Sequence, residues 1–242
     1  MTTTNVASGT NLYEIADQIY RISTPIDAIP GGFSFNQYLI LDDQPLLFHT
    51  GPRKLFPLVL EAVEQVVPAS RLRFIAFSHY EADECGSLNE WLEAAPNSAP
   101  LCSQVAAMVS VNDVADRPAE PMADGATIAL GRHTVKWLDA PHLPHGWETG
   151  YLMESNTGTL FCGDLFTQGG NGSTALTEGD ILEPSEAFRL SLDYFSHSTQ
   201  APALIEKLAH ENPSTLACMH GSAWTGKGAD LLRTLGERLA RR

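Results

Sequence analysis

Basic residues are scarce in this sequence. Its 15 lysines and arginines stand against 29 aspartates and glutamates, which gives a formal net charge of −14 at pH 7. The one basic cluster is near the C-terminus and consists of Arg233, Arg238, Arg241 and Arg242. Proteins that bind nucleic acid need lysine and arginine side chains to neutralise the phosphate backbone. The charge balance therefore disfavours nucleic-acid binding.

Long apolar runs and a targeting segment are also lacking. The first ten residues, MTTTNVASGT, have neither a basic start nor an apolar stretch, so they do not resemble a secretion signal. No other segment approaches the roughly 20 apolar residues that a helix needs to cross a bilayer. We therefore expect no interaction with a membrane.

Cysteines are few and widely spaced. Cys85, Cys102, Cys162 and Cys218 occur singly, within or beside apolar segments, and no C-x-x-C pair is present. This pattern is typical of reduced thiols and not of a disulfide framework. It favours a cytoplasmic location.

Apolar periodicity predicts a single α/β domain that covers residues 1–242. The content of hydrophobic residues, 43%, is ample for one large core. Strands are expected at 12–15, 19–23, 35–41, 46–49, 73–77, 101–102, 127–130, 134–138, 149–153, 160–162 and 216–219. Helices are expected at 55–66, 87–95, 104–111, 185–196, 201–210 and 229–240. Because strands followed by helices occur twice, we expect two sheets packed face to face, with helices outside.

Four potential metal ligands lie within six residues of the segment 77–91, which reads FSHYEADECGSLNEW. They are His79, Glu81, Asp83 and Glu84. The segment follows an apolar strand and precedes a helical pattern, so it belongs on a loop, where binding residues are common. Carboxylate and imidazole groups at alternating positions can converge on a cation. A solvated acidic helix N-terminus is the alternative interpretation.

Three later segments place another potential ligand at the end of an apolar strand. DAPHLPHGWET contains His142 and His145, LFCGDLF contains Asp164, and LACMHGSAW contains His220. A single histidine beside an apolar strand is usually a structural residue. The ordered set, however, could hold two metal ions with a carboxylate between them.

These motifs resemble the metallo-β-lactamase superfamily, and within it the diiron domain of flavodiiron proteins and the related oxygen-binding diiron proteins. The hydrolases of this superfamily carry H-x-H-x-D-H in the first loop, whereas the flavodiiron pattern is H-x-E-x-D-H followed by a small residue, Gly, Ser and Leu. Here Glu81 stands at the diagnostic position, and C-G-S-L follows Glu84. Further likeness lies in FNQYLIL at 35–41, DLFTQ at 164–168 and HGSAW at 220–224.

The resemblance implies a metallo-β-lactamase-like αββα sandwich with two mixed sheets, and two bound iron ions. It implies the following ligands: for the first iron His79, Glu81 and His145; for the second Asp83 and His220; and as the bridge Asp164. His145 is preferred to His142 because it lies 19 residues before Asp164 (164 − 145) and is followed by GWET.

Two positions depart from the family pattern. Glu84 stands where the family has a histidine ligand, and either binds the second iron or turns away and leaves an open position. His49, in LFHTG, stands where the family commonly has aspartate, and we expect it to be hydrogen-bonded near the metals. His142 is expected beside the ligands or exposed to solvent. The remaining histidines, which we expect at the surface, are His133, His197 and His210.

The glycine-rich segment at 168–173, QGGNGS, follows Asp164 closely. It is consistent with a mobile loop near the site and equally with an ordinary surface connection, because glycine and asparagine are common turn residues.

The function that the resemblance implies is binding of O2, with NO as a second candidate ligand, by a non-haem diiron protein. Such a protein acts either as a reductase with a separate electron-donating partner or as an oxygen sensor. No flavodoxin-like domain follows His220 in the sequence, so we expect no flavin on this chain. A homodimer is a further expectation. The alternatives are a dinuclear zinc metallohydrolase, whose first loop would place histidine at position 81, and a scaffold with a weak or single-metal site.

Overall fold

Two β-sheets packed face to face form the centre of the fold. The computed structural model describes residues 1–27 and 29–240. The first sheet has its strands in chain order: β1 Thr2–Asn5, β2 Thr10–Ala16, β3 Ile19–Ile26, β4 Phe33–Ile40, β5 Leu46–Phe48, β6 Phe74–Ala76, β7 Ala99–Ser103 and β8 Glu120–Met122. Strands β1 to β5 pair antiparallel, and β5 to β8 pair parallel. The sheet is therefore mixed.

The second sheet is built from the later half of the chain. Its strands are β9 Thr127–Ala129, β10 Thr134–Asp139, β11 Gly150–Glu154, β12 Thr159–Gly163, β13 Leu176–Thr177, β14 Thr215–Cys218 and β15 Ala223–Thr225. Their order across the sheet is β13-β15-β14-β12-β11-β10-β9. Because β12 and β14 run parallel with a helical crossover between them, both strands end at the same edge. This edge receives the segments that contain Asp164 and His220.

Helices cover the outer faces of the sheets. They are α1 Phe56–Glu64, α2 Ala82–Cys85, α3 Leu88–Ala94, α4 Gln104–Ala106, α5 Asn112–Val114, α6 Leu182–Leu192, α7 Ala201–His210 and α8 Gly228–Ala240. A π-helical segment, Ala107–Val111, joins α4 to α5. Helices α1 and α7 each have proline in the first turn, where the missing N–H costs no hydrogen bond.

Three apolar layers hold the αββα sandwich together. The layer between the sheets includes Tyr38 and Phe48 from the first sheet and Trp137 and Phe161 from the second. The second layer lies between the first sheet and helices α1 and α3, and the third between the second sheet and helices α6 to α8. Strands of the inner layers are buried on both faces, which explains their nearly continuous apolar sequences.

The glycine-rich segment at 168–173 is anchored to the first sheet. Gly170 donates its backbone N–H to Gly32 O at 3.0 Å, and Arg21 Nη2 donates to Gly172 O at 3.0 Å. The side chain of Gln168 donates to Ser222 O at 3.2 Å. These bonds are those of an ordered surface connection.

Most expected elements are present, with shifted boundaries. Helix α7 coincides with the expected range. Helix α6 begins earlier than 185–196, where Asp180 Oδ1 accepts from Leu182 N, and it also ends earlier, because Asp193 adopts a left-handed conformation with φ of 50°. The elements that were not expected are β1, β8, β13, β15, α2 and α5. Within the described ranges, no helix combines the length and the apolarity that crossing a bilayer requires.

Candidate metal centre

The loop after β6 sends its acidic side chains in two directions. Glu81 has an extended backbone with φ of −140° and ψ of 161°, and the one-turn helix α2 starts directly after it. Asp83 and Glu84 lie in this turn. Because the conformation changes from extended to helical at this point, Glu81 joins one cluster of ligands while Asp83 and Glu84 join another.

The first cluster consists of His79, Glu81, His145 and Asp164. His79 Nε2 lies 3.1 Å from Glu81 Oε2 and 2.9 Å from His145 Nε2. His145 Nε2 lies 2.8 Å from the same oxygen of Glu81. Two imidazole nitrogens and a carboxylate oxygen thus converge on one point, which is an arrangement that can hold a metal ion.

The second cluster consists of Asp83, Glu84 and His220. His220 Nε2 lies 3.4 Å from Asp83 Oδ2. Glu84 is fully buried, and its Oε2 lies 3.9 Å from His79 Nε2, so it faces the region between the clusters. This set is more anionic than the first, since it offers two carboxylates and one imidazole.

Asp164 lies between the two clusters. Its Oδ2 lies 3.7 Å from His79 Nε2, and its Oδ1 lies 3.2 Å from His220 Nε2. The preceding residue, Gly163, has a φ of 48°, and a Cβ atom there would lie 3.0 Å from Ser78 Oγ. Glycine at this position therefore permits the sharp turn that brings Asp164 beside the first loop.

Two of the histidines are oriented by backbone carbonyls. His145 Nδ1 lies 3.0 Å from Tyr194 O, and His220 Nδ1 lies 2.9 Å from Ser34 O. A carbonyl can only accept, so each Nδ1 must carry a hydrogen, and when the ring is neutral its Nε2 presents a lone pair to the cluster. Outer hydrogen bonds of this kind are characteristic of histidines that bind metals.

Opposite charges shift the pKa values of the more exposed acids downward. Hydrogen bonds from His145 and His79 lower the pKa of Glu81 to about 2. Burial opposes ionisation of Asp83, but its hydrogen bond with His220 holds the pKa below the usual range. Burial likewise disfavours a charged His220, yet its hydrogen bonds with Asp164 and Asp83 raise the pKa to about 10. In the metal-free chain, the protonated ring of His220 thus supplies a positive charge among the carboxylates, as a bound cation would.

Glu84 provides the test of whether these residues fit a metal. Burial and the nearby carboxylates of Asp164 and Asp83 hold its pKa well above the usual range. Neither carboxylate oxygen accepts a hydrogen bond from an N–H or O–H donor among the residues that the structure describes, and the side-chain hydrogen bond of Glu84 is with the carboxylate of Asp83. Two buried carboxyl groups in contact are costly, and a coordinated cation would satisfy their oxygens. The donor set therefore fits two metal ions.

The other histidines lie outside both clusters. His49 is fully buried and its Nε2 lies 3.1 Å from Ser78 Oγ, so it lies close behind the first loop. The side chain of His142 is exposed and lines a separate cavity of about 330 Å³ with His197. The expectation that His133 is a surface residue was wrong: it is buried, with Nδ1 3.2 Å from Glu154 Oε1. Glu154, also buried, occupies the end of β11.

Sequence reasoning missed the aromatic wall of the site. Phe33 stacks on His220 with ring centroids 4.3 Å apart, and Phe188 stacks on Phe33 at 5.5 Å. Tyr194 donates its hydroxyl hydrogen to Asp164 O at 3.2 Å. Phe33 is in β4, Phe188 is in α6 and Tyr194 follows α6. No motif in the sequence links them to the two clusters.

A family model described as "ODP family beta lactamase" matches residues 33–221, which is well over half of the chain. The chain belongs to this family. The matched range contains every residue of the two clusters and every strand of the two sheets except β1 to β3 and β15. ODP-family membership agrees with the resemblance read from the first loop.

Curated relatives of this ODP-family chain are longer proteins. A putative diflavin flavoprotein A 1 from Thermosynechococcus vestitus is 30% identical over 142 residues, which are 57% of this chain and 24% of that protein. A rubredoxin-oxygen oxidoreductase from Megalodesulfovibrio gigas is 25% identical over 172 residues, or 69% of this chain and 42% of that protein. The matched region thus spans between about a quarter and two fifths of these relatives.

Solved structures confirm the fold. The flavodiiron core of Flv1 from Synechocystis sp. PCC6803 superposes with a TM-score of 0.81 at 20% sequence identity. The superposition covers 96% of this chain and 61% of the other. The expected metallo-β-lactamase-like sandwich with two mixed sheets is therefore confirmed.

Proposed function

We propose that this ODP-family chain is a non-haem diiron protein that binds O2, with NO as a second ligand of the same kind. The observation that carries the proposal is the position of Asp164. One of its oxygens faces the first cluster and the other faces the second, as a bridging carboxylate between two ions requires.

The proposed ligands follow the two clusters. For the first iron they are His79, Glu81 and His145; for the second Asp83, Glu84 and His220; and for both Asp164. Glu84 is included because it is fully buried beside Asp83 and accepts no hydrogen bond from an N–H or O–H donor within the described ranges. The alternative, in which Glu84 turns away and leaves an open position, would leave this buried carboxyl group with only another carboxyl group as its partner.

The charge of the site supports iron over zinc. Four carboxylates and three histidines make a more anionic set than the histidine-rich sites of zinc hydrolases. The relative named rubredoxin-oxygen oxidoreductase supports O2 as the ligand. We therefore propose iron as the metal and O2 as the ligand of this chain.

The chain's own residues would orient the ligands and exclude water. Two ferrous ions would supply two electrons to a bound diatomic molecule. Phe33 and Phe188 form an apolar wall beside His220, and the wall limits the access of water to the second cluster. Tyr194 holds the Asp164 backbone by one hydrogen bond and the His145 ring by another. It thereby fixes the bridging residue relative to the first cluster.

Complete reduction of O2 to water consumes four electrons, twice what two ferrous ions provide. We therefore propose that a separate redox protein supplies electrons if this chain is a reductase. A sensor would need no such partner, because one oxidation event and its structural consequence would suffice. We also propose that residues 1–242 form a single domain, since the central apolar layer takes residues from both sheets.

Metal analysis of protein made in iron-replete, zinc-poor medium tests the proposal. We expect about two irons per chain, and a visible absorption band that appears when O2 is admitted to the anaerobic, reduced protein. Two zinc ions with rapid hydrolysis of thioesters or lactones, and no reaction of the iron form with O2, would instead establish a zinc hydrolase. Less than one metal ion per chain would indicate a weak or single-metal site.

A further inference from the structure

His49 occupies a backbone position that histidine rarely adopts. It follows β5 directly, with a φ of 66°, in the left-handed region that is unfavourable for residues with a Cβ atom. Its side chain is fully buried, and its Nδ1 has no hydrogen-bond partner in the part of the chain that the structure describes. Residues held in such backbone conformations cluster at active sites and ligand-binding sites.

The other ring nitrogen of His49, Nε2, takes part in a chain of hydrogen bonds that reaches the metal centre. His49 Nε2 lies 3.1 Å from Ser78 Oγ, and Ser78 Oγ lies 3.0 Å from His79 Nδ1. All three side chains are buried, so solvent does not compete for these contacts. The ring of His49 is therefore connected through one hydroxyl to the ring of His79.

The direction of the chain follows from the position of His79. Its Nε2 lies among the ligand atoms of the first cluster, so a metal-binding His79 carries its hydrogen on Nδ1 and donates it to Ser78 Oγ. The hydroxyl of Ser78 then donates its own hydrogen to His49 Nε2. Every bond in this arrangement has one donor and one acceptor.

Ser78 alone would not enforce this arrangement. His145 and His220 are oriented by carbonyl oxygens, which can only accept, whereas a hydroxyl can rotate and donate to His79 Nδ1 instead. That rotation would move the hydrogen of His79 to Nε2, where it would block a metal ion. An acceptor on the far side of Ser78 removes this possibility, because it occupies the hydroxyl hydrogen.

We propose that His49 is a positioning residue for His79: through Ser78 it holds the His79 ring in the tautomer that presents Nε2 to the first metal ion. The inference rests on the proposed function, since it takes His79 to be a metal ligand. It adds a role for a residue that belongs to neither ligand cluster. Outer hydrogen bonds of this kind contribute roughly 10–100-fold to metal affinity.

Four variants separate this role from a merely structural one. Ser78→Ala removes the link, and Ser98→Ala is its control, because Ser98 is equally buried and donates to Ala95 O far from the ligands. His49→Gln keeps a side-chain oxygen that reaches the Ser78 hydroxyl, whereas His49→Asn is too short. Left-handed backbone is compatible with glutamine in this chain, since Gln18 has a φ of 52°.

The first measurement uses the metal-free protein and nitrogen NMR of the histidine rings. We expect Ser78→Ala and His49→Asn to shift the ring nitrogen signals of His79, while Ser98→Ala and His49→Gln leave them close to those of the wild type. Unchanged His79 signals in folded His49→Asn would overturn the inference, whatever metal the site binds.

The second measurement is anaerobic titration with Fe(II) against a competing chelator. We expect Ser78→Ala and His49→Asn to lose about 10–100-fold in affinity at one of the two sites, with His49→Gln retaining most of it. Equal affinity in all four variants would overturn the inference. If the wild type shows the NMR pattern but binds no iron, the hydrogen-bond chain stands and the proposed function fails.

Discussion

Tyr38 donates its hydroxyl hydrogen to the Cys218 carbonyl across 2.7 Å and thereby connects the two sheets. Tyr38 lies in the middle of β4, and Cys218 is the last residue of β14, two residues before His220. Asn36 Nδ2 donates to the same carbonyl at 2.9 Å. The strand end that presents His220 is thus held by side chains of the opposite sheet.

Replacing Tyr38 by phenylalanine should destabilise the protein by about 1 kcal/mol. The variant loses one buried hydrogen bond, but the Cys218 carbonyl keeps its bond from Asn36, so the loss falls near the average for such bonds. Urea unfolding of the metal-free protein measures the change. Tyr13→Phe, at a partly exposed position of β2, is the control. Equal stability of the two variants would contradict the importance of this contact.

Replacing Asp164 by alanine should lower the occupancy of both metal sites together. Its two oxygens face different clusters, so one substitution removes a ligand from each ion. We expect the affinity for each ion to fall at least about 10-fold, the lower end of what even outer hydrogen bonds contribute. Iron analysis after gel filtration gives the occupancy, with the exposed Asp113→Ala as the control. Full two-iron occupancy in Asp164→Ala would refute the bridging assignment.

Replacing Glu81 by histidine should shift the bound metal toward zinc. The change removes a negative charge from the first cluster and creates the histidine-rich loop that zinc hydrolases carry. The zinc-to-iron ratio of protein grown with both metals should rise several-fold, up to about tenfold. A tenfold change corresponds to about 1.4 kcal/mol in the relative binding free energy of the two metals. Glu93→His, at an exposed position of α3, should leave the ratio unchanged. A constant ratio in Glu81→His would show that other residues select the metal.

Replacing Glu84 by histidine should raise the reduction potential of the site while two ions remain bound. An anionic ligand stabilises a ferric ion more than a ferrous one, so its exchange for a neutral imidazole favours the reduced state. Redox titration followed by absorbance or magnetic resonance gives the potential. An unchanged potential, together with slower binding of azide or O2 in the variant, would mean that Glu84 leaves an open position in the wild type.

The candidate ligands were all identifiable in the sequence, but their division into two clusters in space was only partly so. The resemblance implied the separation of Glu81 from Asp83, which the structure explains by a backbone that changes from extended to helical between them. The contact between Glu84 and the centre could not be inferred, because it depends on the orientation of a one-turn helix. A helix of one turn is too short to show a recognisable periodicity of apolar residues.

The aromatic wall and the burial of His133 could not be predicted from the sequence for a related reason: both depend on how separate segments pack together. Phe33 and Phe188 are 155 residues apart (188 − 33) and meet through the packing of α6 against the loop edge. His133 lies in a tight turn, which usually indicates exposure, yet it is buried against Glu154. Strands β13 and β15 were missed because each has at most three residues, too few to show an apolar pattern.

The two clusters differ in how far solvent reaches their ligands. In the first cluster the side chains of Glu81 and His145 are 51% and 29% exposed, whereas in the second cluster Asp83 is 25% exposed and Glu84 and His220 are 0% and 5% exposed. Ligand exchange with a chelator begins at ligands that can detach into water, so an ion at the first cluster would be lost faster than one at the second. The chain would then pass through a form with one ion, which could be refilled with a different metal. Such a hybrid would allow each half of the centre to be studied by its own spectroscopic signal.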